Sequence, residues 1–534
     1  MNAYRSDESR WRANRRGRRL AAVVFAVVAA CGVVSACGGD KAESSAAPTV
    51  VKTQSGPVRG KLSANTRSFS GIPYAAPPTG DLRWKPPAAP AIWTQERDAT
   101  EPGSRCVQSD APGSLVGGED CLFLNVWTPR DAAEQKRPVL VWIHGGAFLA
   151  GAGSEYNPAR LVTSGDLVVV TINYRLGALG FLGHPAVAHD DGQVGNFGLL
   201  DQQAALRWVH DNIAAFGGDP AKVTIAGESA GAMSVCDHLV SPGSERLFQG
   251  AILESGPCEL QVDRQTAVAR SEQYAASVGC PGADATVAQC LRALPAAKLA
   301  ETPLQFTGAG DTGLPGPIVG QPLLPESPPT AFRSGKAAKV PVLIGANHDE
   351  YTFFAARQPI TAEQYPELLK AFGPQADAVA ARYPLAAYPQ PSLAYSAMMT
   401  DYLFSCPTAD MAKSLIRTAP VYVYEFADPN AAPLPGLPSP PPFPLGAAHA
   451  FELPYLFDLE GADAPSTPAQ KDLSDRMIRY WSTFVRTGDP NSRGLPEWPR
   501  HTGDQALVLH PDKISTTDAA RDHHCDLWSG VPTP

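Results

Sequence analysis

The sequence predicts an α/β fold: one large, mostly parallel central sheet with helices on both faces. Three observations carry this. Apolar runs of strand length, such as Pro138-Val139-Leu140-Val141-Trp142-Ile143 and Asp166-Leu167-Val168-Val169-Val170-Thr171-Ile172, read as strands buried on both faces. Stretches of helical period alternate with such runs, and strands alternating with helices make parallel sheets covered on both sides. The run Gly227-Glu228-Ser229-Ala230-Gly231 lies between a β-rich segment, Val223-Thr224-Ile225-Ala226, and an apolar helix-compatible stretch from Ala230 to Leu239. That is the strand–turn–helix context of a G-x-S-x-G nucleophile elbow.

Residues 1–36 are a separate object. They hold seven arginines and two acids, so they carry +5 of a formal net charge of −9 and leave −14 for the rest. Arg15-Arg16-Gly17-Arg18-Arg19 precedes an apolar stretch from Leu20 to Ala36, the n-region and h-region of an export signal. The stretch ends in Val34-Ser35-Ala36-Cys37, which looks like a bacterial lipoprotein cleavage box with Cys37 as the lipidated residue. Val28-Ala29-Ala30-Cys31 is a weaker competitor, and simple secretion without a lipid is the alternative. The paired arginines raise a twin-arginine route without settling it. Residues 37–51 read as a flexible tether, and 52–531 as the catalytic domain.

Within that domain the strand Pro138–Ile143 runs into His144-Gly145-Gly146-Ala147-Phe148, a loop whose small residues let backbone N–H groups approach a developing oxyanion. His144 reads as a loop-positioning residue. Leu199 to Phe216 has helical periodicity, with Leu200, Ala204, Trp208 and Ile213 among its apolar positions. The glycines flanking Ser229 have a steric task, because a sharp turn brings chain segments together where a Cβ would clash. Gly250-Ala251-Ile252-Leu253 is a further strand. Val340–Gly345 is another, leading into Ala346-Asn347-His348-Asp349-Glu350, where Asp349 and Glu350 both compete to orient a base. Val421–Phe426 is a strand, Ala431–Leu445 a proline-rich loop on the rim of the site, and Gly446–Tyr455 a small-residue loop holding His449. Lys471–Val485 is an amphipathic helix.

Longer ordered motifs extend the reading. Phe69-Ser70-Gly71-Ile72-Pro73-Tyr74-Ala75, Leu82-Arg83-Trp84, Glu119-Asp120-Cys121-Leu122-Phe123-Leu124-Asn125-Val126, Gly195–Gln203 and Phe216-Gly217-Gly218-Asp219-Pro220 join the elbow and the His-Gly-Gly loop. Together they resemble the type-B carboxylesterase family, which includes cholinesterases and bacterial para-nitrobenzyl esterases, from about Thr53 to Trp528. The resemblance implies the α/β-hydrolase fold and a serine-type carboxylic ester hydrolase working through an acyl-enzyme. It implies a triad of Ser229, Glu350 and His449, with oxyanion donors at the N–H groups of Gly146, Ala147 and Ala230. Tyr351 replaces the glycine that follows the glutamate in the family. Ser255 would support the Glu350–His449 pair, and Glu228 would contribute negative field. Phe353 and Phe354 match paired gorge aromatics. Three disulfides are implied: Cys106–Cys121, Cys280–Cys290 and Cys406–Cys525. Cys236 and Cys258 are left as buried thiols.

The expected substrates are short to medium uncharged acyl esters, because the loop from Val107 to Asp120 lacks the tryptophan with which cholinesterases hold quaternary ammonium. Another acyl substrate (amide, lactone, thioester or lipid ester) is the alternative, and a non-catalytic binding module a weaker one. No cofactor is expected and no metal; neither Cys236 nor Cys258 has metal-ligand spacing. His523-His524 reads as a solvated pair. The chain lacks the basic stripe that nucleic-acid binding requires, and its only expected membrane contact is the N-terminal lipid. The protein is expected outside the cytoplasm.

Overall fold

Strand β4 (Arg137–Ile143) shows why the sheet is buried on both sides. Its side chains alternate across the pleat: Val139, Val141 and Ile143 enter one apolar cluster, Leu140 and Trp142 the other. The computed structural model describes residues 49–111, 114–131, 136–282, 285–305, 314–529 and 531. The expected leader, Cys31, Cys37 and the tether up to residue 48 lie outside these. Val50 and Val51, expected to fall in the tether, instead belong to a strand, Val50–Lys52, which pairs with Pro57–Arg59 and buries Val51.

The central sheet has eleven strands. In chain order the others are β1 (Lys61–Leu62), β2 (Thr66–Pro73), β3 (Phe123–Pro129), β5 (Val168–Ile172), β6 (Gly218–Glu228), β7 (Gly250–Glu254), β8 (Val342–Asn347), β9 (Val421–Phe426), β10 (Gln505–Leu509) and β11 (Ser515–Asp518). Across the sheet they run β11-β10-β9-β8-β7-β6-β4-β5-β3-β2-β1. Strands β5, β4, β6, β7, β8, β9 and β10 pair in parallel. The two edges are antiparallel. The expected parallel centre is therefore present, with antiparallel strands added at each side.

Helices cover both faces. On one, helix α1 (Phe197–Asn212) contributes Leu199, Leu206 and Val209, and α2 (Ala230–Val240) contributes Ala232 and Val235. On the other, α5 (Pro468–Thr487) contributes Leu473, Met477, Ile478, Trp481 and Phe484 at helical spacing. A Thr467–Gln470 capping box starts α5, and Gly488 in the left-handed region ends it. This explains why the helix is longer at both ends than Lys471–Val485. Two shorter helices follow: α3 (Thr352–Arg357), which carries Phe353 and Phe354, and α4 (Cys406–Leu415).

All three expected disulfides are present: Cys106–Cys121, Cys280–Cys290 and Cys406–Cys525. Cys236 and Cys258 correct the reading of two free thiols, for they form a fourth bond between α2 and the segment after β7. The two positions gave no local sign of this, since a helix and a loop from different strands bring them together. Arg83 and Glu119, from two of the sequence motifs, meet in a two-pronged ion pair with N···O distances of 2.7 and 2.5 Å. The same guanidinium donates to the carbonyls of Leu291, Arg292 and Leu294, so it ties the N-terminal block to the segment around the Cys280–Cys290 loop. Among the described residues no helix is long and apolar enough to cross a membrane.

Candidate active site

Four chain segments leave the C-terminal ends of adjacent parallel strands and converge: His144 after β4, Ser229 after β6, Ser255 after β7 and Glu350 after β8. This is the edge where open α/β sheets carry their sites. The nucleophile elbow is strained. Ser229 has φ 54° and ψ −122°, a conformation that residues with a Cβ seldom adopt. It is held there by its own N–H, which donates to the Glu254 carbonyl at 2.9 Å, and by its carbonyl, which accepts from Met233 in α2 at 2.9 Å. Residues Val223–Glu228 and Ala230 are buried, while Ser229 is partly exposed and its hydroxyl makes no hydrogen bond among the described residues.

Both elbow glycines are needed for close approach. A Cβ on Gly231 would lie 2.0 Å from the Ile143 carbonyl oxygen, and one on Gly227 would lie 2.4 Å from the Gly231 carbonyl carbon. The same crowding places the His144–Phe148 loop beside Ser229, since a Cβ on Gly145 would meet the Ser229 Cβ at 3.1 Å. In that loop Gly146 has φ 103° and Ala147 φ 57°. The N–H groups of Gly146 and Ala147 have no acceptor among the described residues. The Ala230 N–H stands in the first turn of α2, where helical N–H groups are unpaired and the dipole favours negative charge. His144 positions the loop as expected. Its Nδ1 is 2.8 Å from the Gly145 carbonyl, its ring stacks on Tyr174, and burial lowers its pKa to about 4, so it is neutral.

His449 Nδ1 lies 2.6 Å from Glu350 Oε2, and the other oxygen of that fully buried carboxylate accepts the Asn347 N–H at 2.7 Å. Of the two competing acids, Glu350 is the one that meets the His449 ring. Asp349 accepts the Ala447 N–H and pairs with His348, so it fastens the loop. Tyr351 fits where the family has glycine because its φ is −78°, which any residue can adopt, and its N–H donates to Thr400 Oγ1. On its other side His449 Nε2 is 3.1 Å from Glu228 Oε1, yet that oxygen has no hydrogen-bond partner. The contact is close without being aligned.

Two expectations about supporting residues need correction. The Ser255 hydroxyl is buried and has no hydrogen-bond partner, so it does not bond to Glu350 or His449. Ser255 instead contributes backbone: its φ is 52° and its N–H donates to Gly345. Glu228 was expected to supply negative field. Burial, and then the charges of Glu350 and Glu254, raise its pKa well above the usual carboxylate value and favour the neutral acid.

The reason is a cluster that motif reading missed. Glu228, Glu254, Glu350 and Glu452 are all buried, and Glu228 and Glu350 lie against His449. Glu228 and Glu254 are register partners on β6 and β7. Glu254 is pushed up to about 8 by burial, while an N–H from Trp481 at 2.7 Å acts in the opposite direction. Glu452 bonds to the Asn347 side chain, and burial followed by Glu228, Glu254 and Glu350 raises it as well. The signals available were positional: Glu254 precedes Ser255 and Glu452 follows His449 by three.

Phe353 and Phe354, on α3, stand 5.9 and 5.1 Å from the His449 ring, centroid to centroid. Phe404, absent from the sequence reading, stands at 5.2 Å and stacks with Phe354. The proline-rich loop reaches α3 through the Leu445 carbonyl, which accepts from Thr352, and the Gly436 carbonyl, which accepts from Arg357. His523 is not solvated: it is buried, with Nδ1 2.6 Å from Asp401 and Nε2 2.7 Å from Glu425.

Comparison with known proteins agrees with this geometry. The family described as "Carboxylesterase family" matches residues 47–528. Acylcarnitine hydrolase of Rattus norvegicus is 36% identical over 552 residues, covering 96% of this chain and 95% of its own. Para-nitrobenzyl esterase of Bacillus subtilis (strain 168) is 37% identical over 493 residues, covering 88% and 96%. A solved PNB esterase superposes with a TM-score of 0.76 at 36% identity, covering 90% of this chain and 100% of that one.

Proposed function

This chain belongs to the carboxylesterase family and hydrolyses carboxylic esters, and we propose that it does so with Ser229 as nucleophile, His449 as base and Glu350 as the acid that orients His449. The observation that carries the assignment is the His449 Nδ1–Glu350 Oε2 bond, made by a carboxylate whose second oxygen is already fixed by a backbone N–H. This pairing leaves the imidazole proton on Nδ1 and the lone pair on Nε2, as a base requires.

The ester carbonyl carbon is attacked by Ser229 Oγ while His449 Nε2 takes the hydroxyl proton. The N–H groups of Gly146, Ala147 and Ala230 receive the oxyanion, a contribution often the largest in such reactions. His449 then protonates the departing alcohol, the acyl group stays on Ser229, and water repeats the sequence to release the acid. Glu350 stabilises the imidazolium in each half.

The substrates we propose are uncharged esters of short to medium acyl chains. Phe353, Phe354 and Phe404 give the histidine side of the site an apolar aromatic wall. The neutral tendency of Glu228 removes an attraction for cationic substrates. The test is hydrolysis of p-nitrophenyl esters from acetate to palmitate. Rates peaking at the short end support the reading; a maximum at palmitate, or acetylcholine turnover equal to that of a simple acetate, overturns it.

For residues 1–36 we propose an export leader, with lipid carried on Cys37, on the strength of the basic n-region and the Val34–Cys37 box. Palmitate incorporation in a bacterial host that is retained in Cys37→Ala would reject the lipid site.

A further inference from the structure

At the loop that carries Glu350, three chain segments bring a second set of ligating side chains together. His348 comes from the loop after β8, Glu425 from β9 and His523 from the segment before the Cys406–Cys525 disulfide. One ligating atom from each lies within 4.8 Å of the others. We propose that His348, Glu425 and His523 form a binding site for a divalent transition-metal ion of the zinc class, separate from the esterase chemistry.

The donor set is two imidazoles and a carboxylate, which suits borderline-soft divalent ions, with a fourth position left for water. The outer groups make the argument stronger than proximity alone. Metal-bound histidines usually give their other ring nitrogen to a carboxylate or carbonyl, which fixes the tautomer and ring orientation. Both imidazoles here have that partner on Nδ1. His523 Nδ1 is 2.6 Å from Asp401 Oδ1, and His348 Nδ1 is 3.1 Å from Asp349 Oδ1. Asp401 is itself held by the Tyr383 hydroxyl at 2.7 Å. Nδ1 being engaged on each ring, Nε2 is the atom left to ligate.

His523 Nε2 and Glu425 Oε2 now face each other at 2.7 Å. Two ligands of a tetrahedral zinc ion, each about 2.0–2.2 Å from the metal, stand roughly 3.3 Å apart, so a rearrangement of well under 1 Å accommodates the ion. On binding, the proton between the two atoms leaves to solvent. His348, held beside Asp349 through Nδ1, stands on the third side with a ligating atom within 4.8 Å of the other two. Its N–H is anchored to the Phe426 carbonyl at 2.9 Å, so the backbone is already in place.

The site would tie three distant parts of the chain together next to the loop that carries Glu350. Its occupation is therefore expected to appear as stability and not as a change of chemistry. It escaped the sequence reading because the ligands, at 348, 425 and 523, have no local spacing.

The experiment uses the folded protein, stripped with EDTA and dialysed, then titrated with zinc chloride by calorimetry and with cobalt chloride by visible absorption. The proposal expects one equivalent bound, intense cobalt d–d bands of a four-coordinate site and a rise in melting temperature. His348→Ala, with its fold checked by circular dichroism in the metal-free form, should weaken zinc binding at least tenfold and abolish the cobalt bands. No stoichiometric binding to the wild type, or equal binding by His348→Ala, overturns the proposal. Hydrolysis of p-nitrophenyl acetate by the stripped protein keeps the two readings apart, since it should persist whatever the metal result.

Discussion

Replacing Glu350 by glutamine removes one charge and almost no volume, and the structure says what should follow. Both carboxylate oxygens are in use: Oε1 accepts from Asn347 N–H at 2.7 Å, and Oε2 accepts from His449 Nδ1 at 2.6 Å. An amide has one acceptor oxygen. If it serves the Asn347 N–H, the amide NH2 faces Nδ1, which must become the acceptor, and the imidazole proton moves to Nε2, where it blocks proton uptake from Ser229. If it serves His449, a buried backbone N–H is left facing a donor, at a cost of about 1–3 kcal/mol. Either arrangement also loses the charge that stabilises the imidazolium. The corresponding amide substitution in another serine hydrolase lowers turnover by about 10⁴ through the wrong tautomer. We therefore expect Glu350→Gln to lower kcat/KM for p-nitrophenyl acetate on the order of 10³–10⁴-fold, or about 4–5.5 kcal/mol of barrier. The far-ultraviolet circular dichroism should be unchanged. A folded variant within tenfold of wild type would refute the orienting role and the tautomer argument with it.

Two further outcomes follow from the buried cluster and the C-terminal staple. The Glu254 carboxyl is raised from its ordinary 4.5 to about 8, so its neutral form stabilises the fold fully below about pH 4.5, and that stability is lost as the pH climbs through about 8. Glu254→Gln cannot ionise; denaturant titrations from pH 5 to 9 should show wild type losing stability relative to this variant, by up to about 4 kcal/mol, and parallel curves would contradict the raised value. The Cys406–Cys525 bond closes a separation of 119 residues, for which chain entropy allows about 5 kcal/mol. Replacing both cysteines by alanine should lower stability by about 2–5 kcal/mol, measured against a Cys280→Ala/Cys290→Ala variant that closes only 10 and loses less.

What was legible in the chain follows a physical division. Strand β9 matches its expected bounds, β4 and β7 differ from theirs by one residue at one end, and β8 is shifted by two residues at both ends, because a fully apolar run in a parallel centre has few alternatives. The elbow glycines were legible because their task is local: no side chain fits at either one. Position in the chain left Asp349 and Glu350 in competition and the family resemblance favoured Glu350; the contacts agree, since the two neighbouring acids point in different directions, Glu350 to His449 and Asp349 to Ala447. The carboxylate cluster was hidden for a related reason. Glu228 and Glu254 are neighbours by sheet register, and Trp481 reaches Glu254 from a helix more than two hundred residues away in sequence. Phe404 belongs to a π-helical turn, Asp401–Ser405, whose extra residue turns a side chain toward His449 in a way that no helical period announces. The fourth disulfide and the burial of His523 were missed alike, because both depend on where the sheet brings distant segments to rest.

The account stands most directly on Ser229 being the nucleophile. The decisive measurement is titration of the protein with a fluorophosphonate, following esterase activity and mapping the adduct by mass spectrometry. The account predicts one equivalent on the peptide containing Ser229, with activity falling in proportion and no adduct on Ser229→Ala. Activity that survives complete labelling of Ser229, or a stoichiometric adduct on another residue accompanied by inactivation, would contradict it.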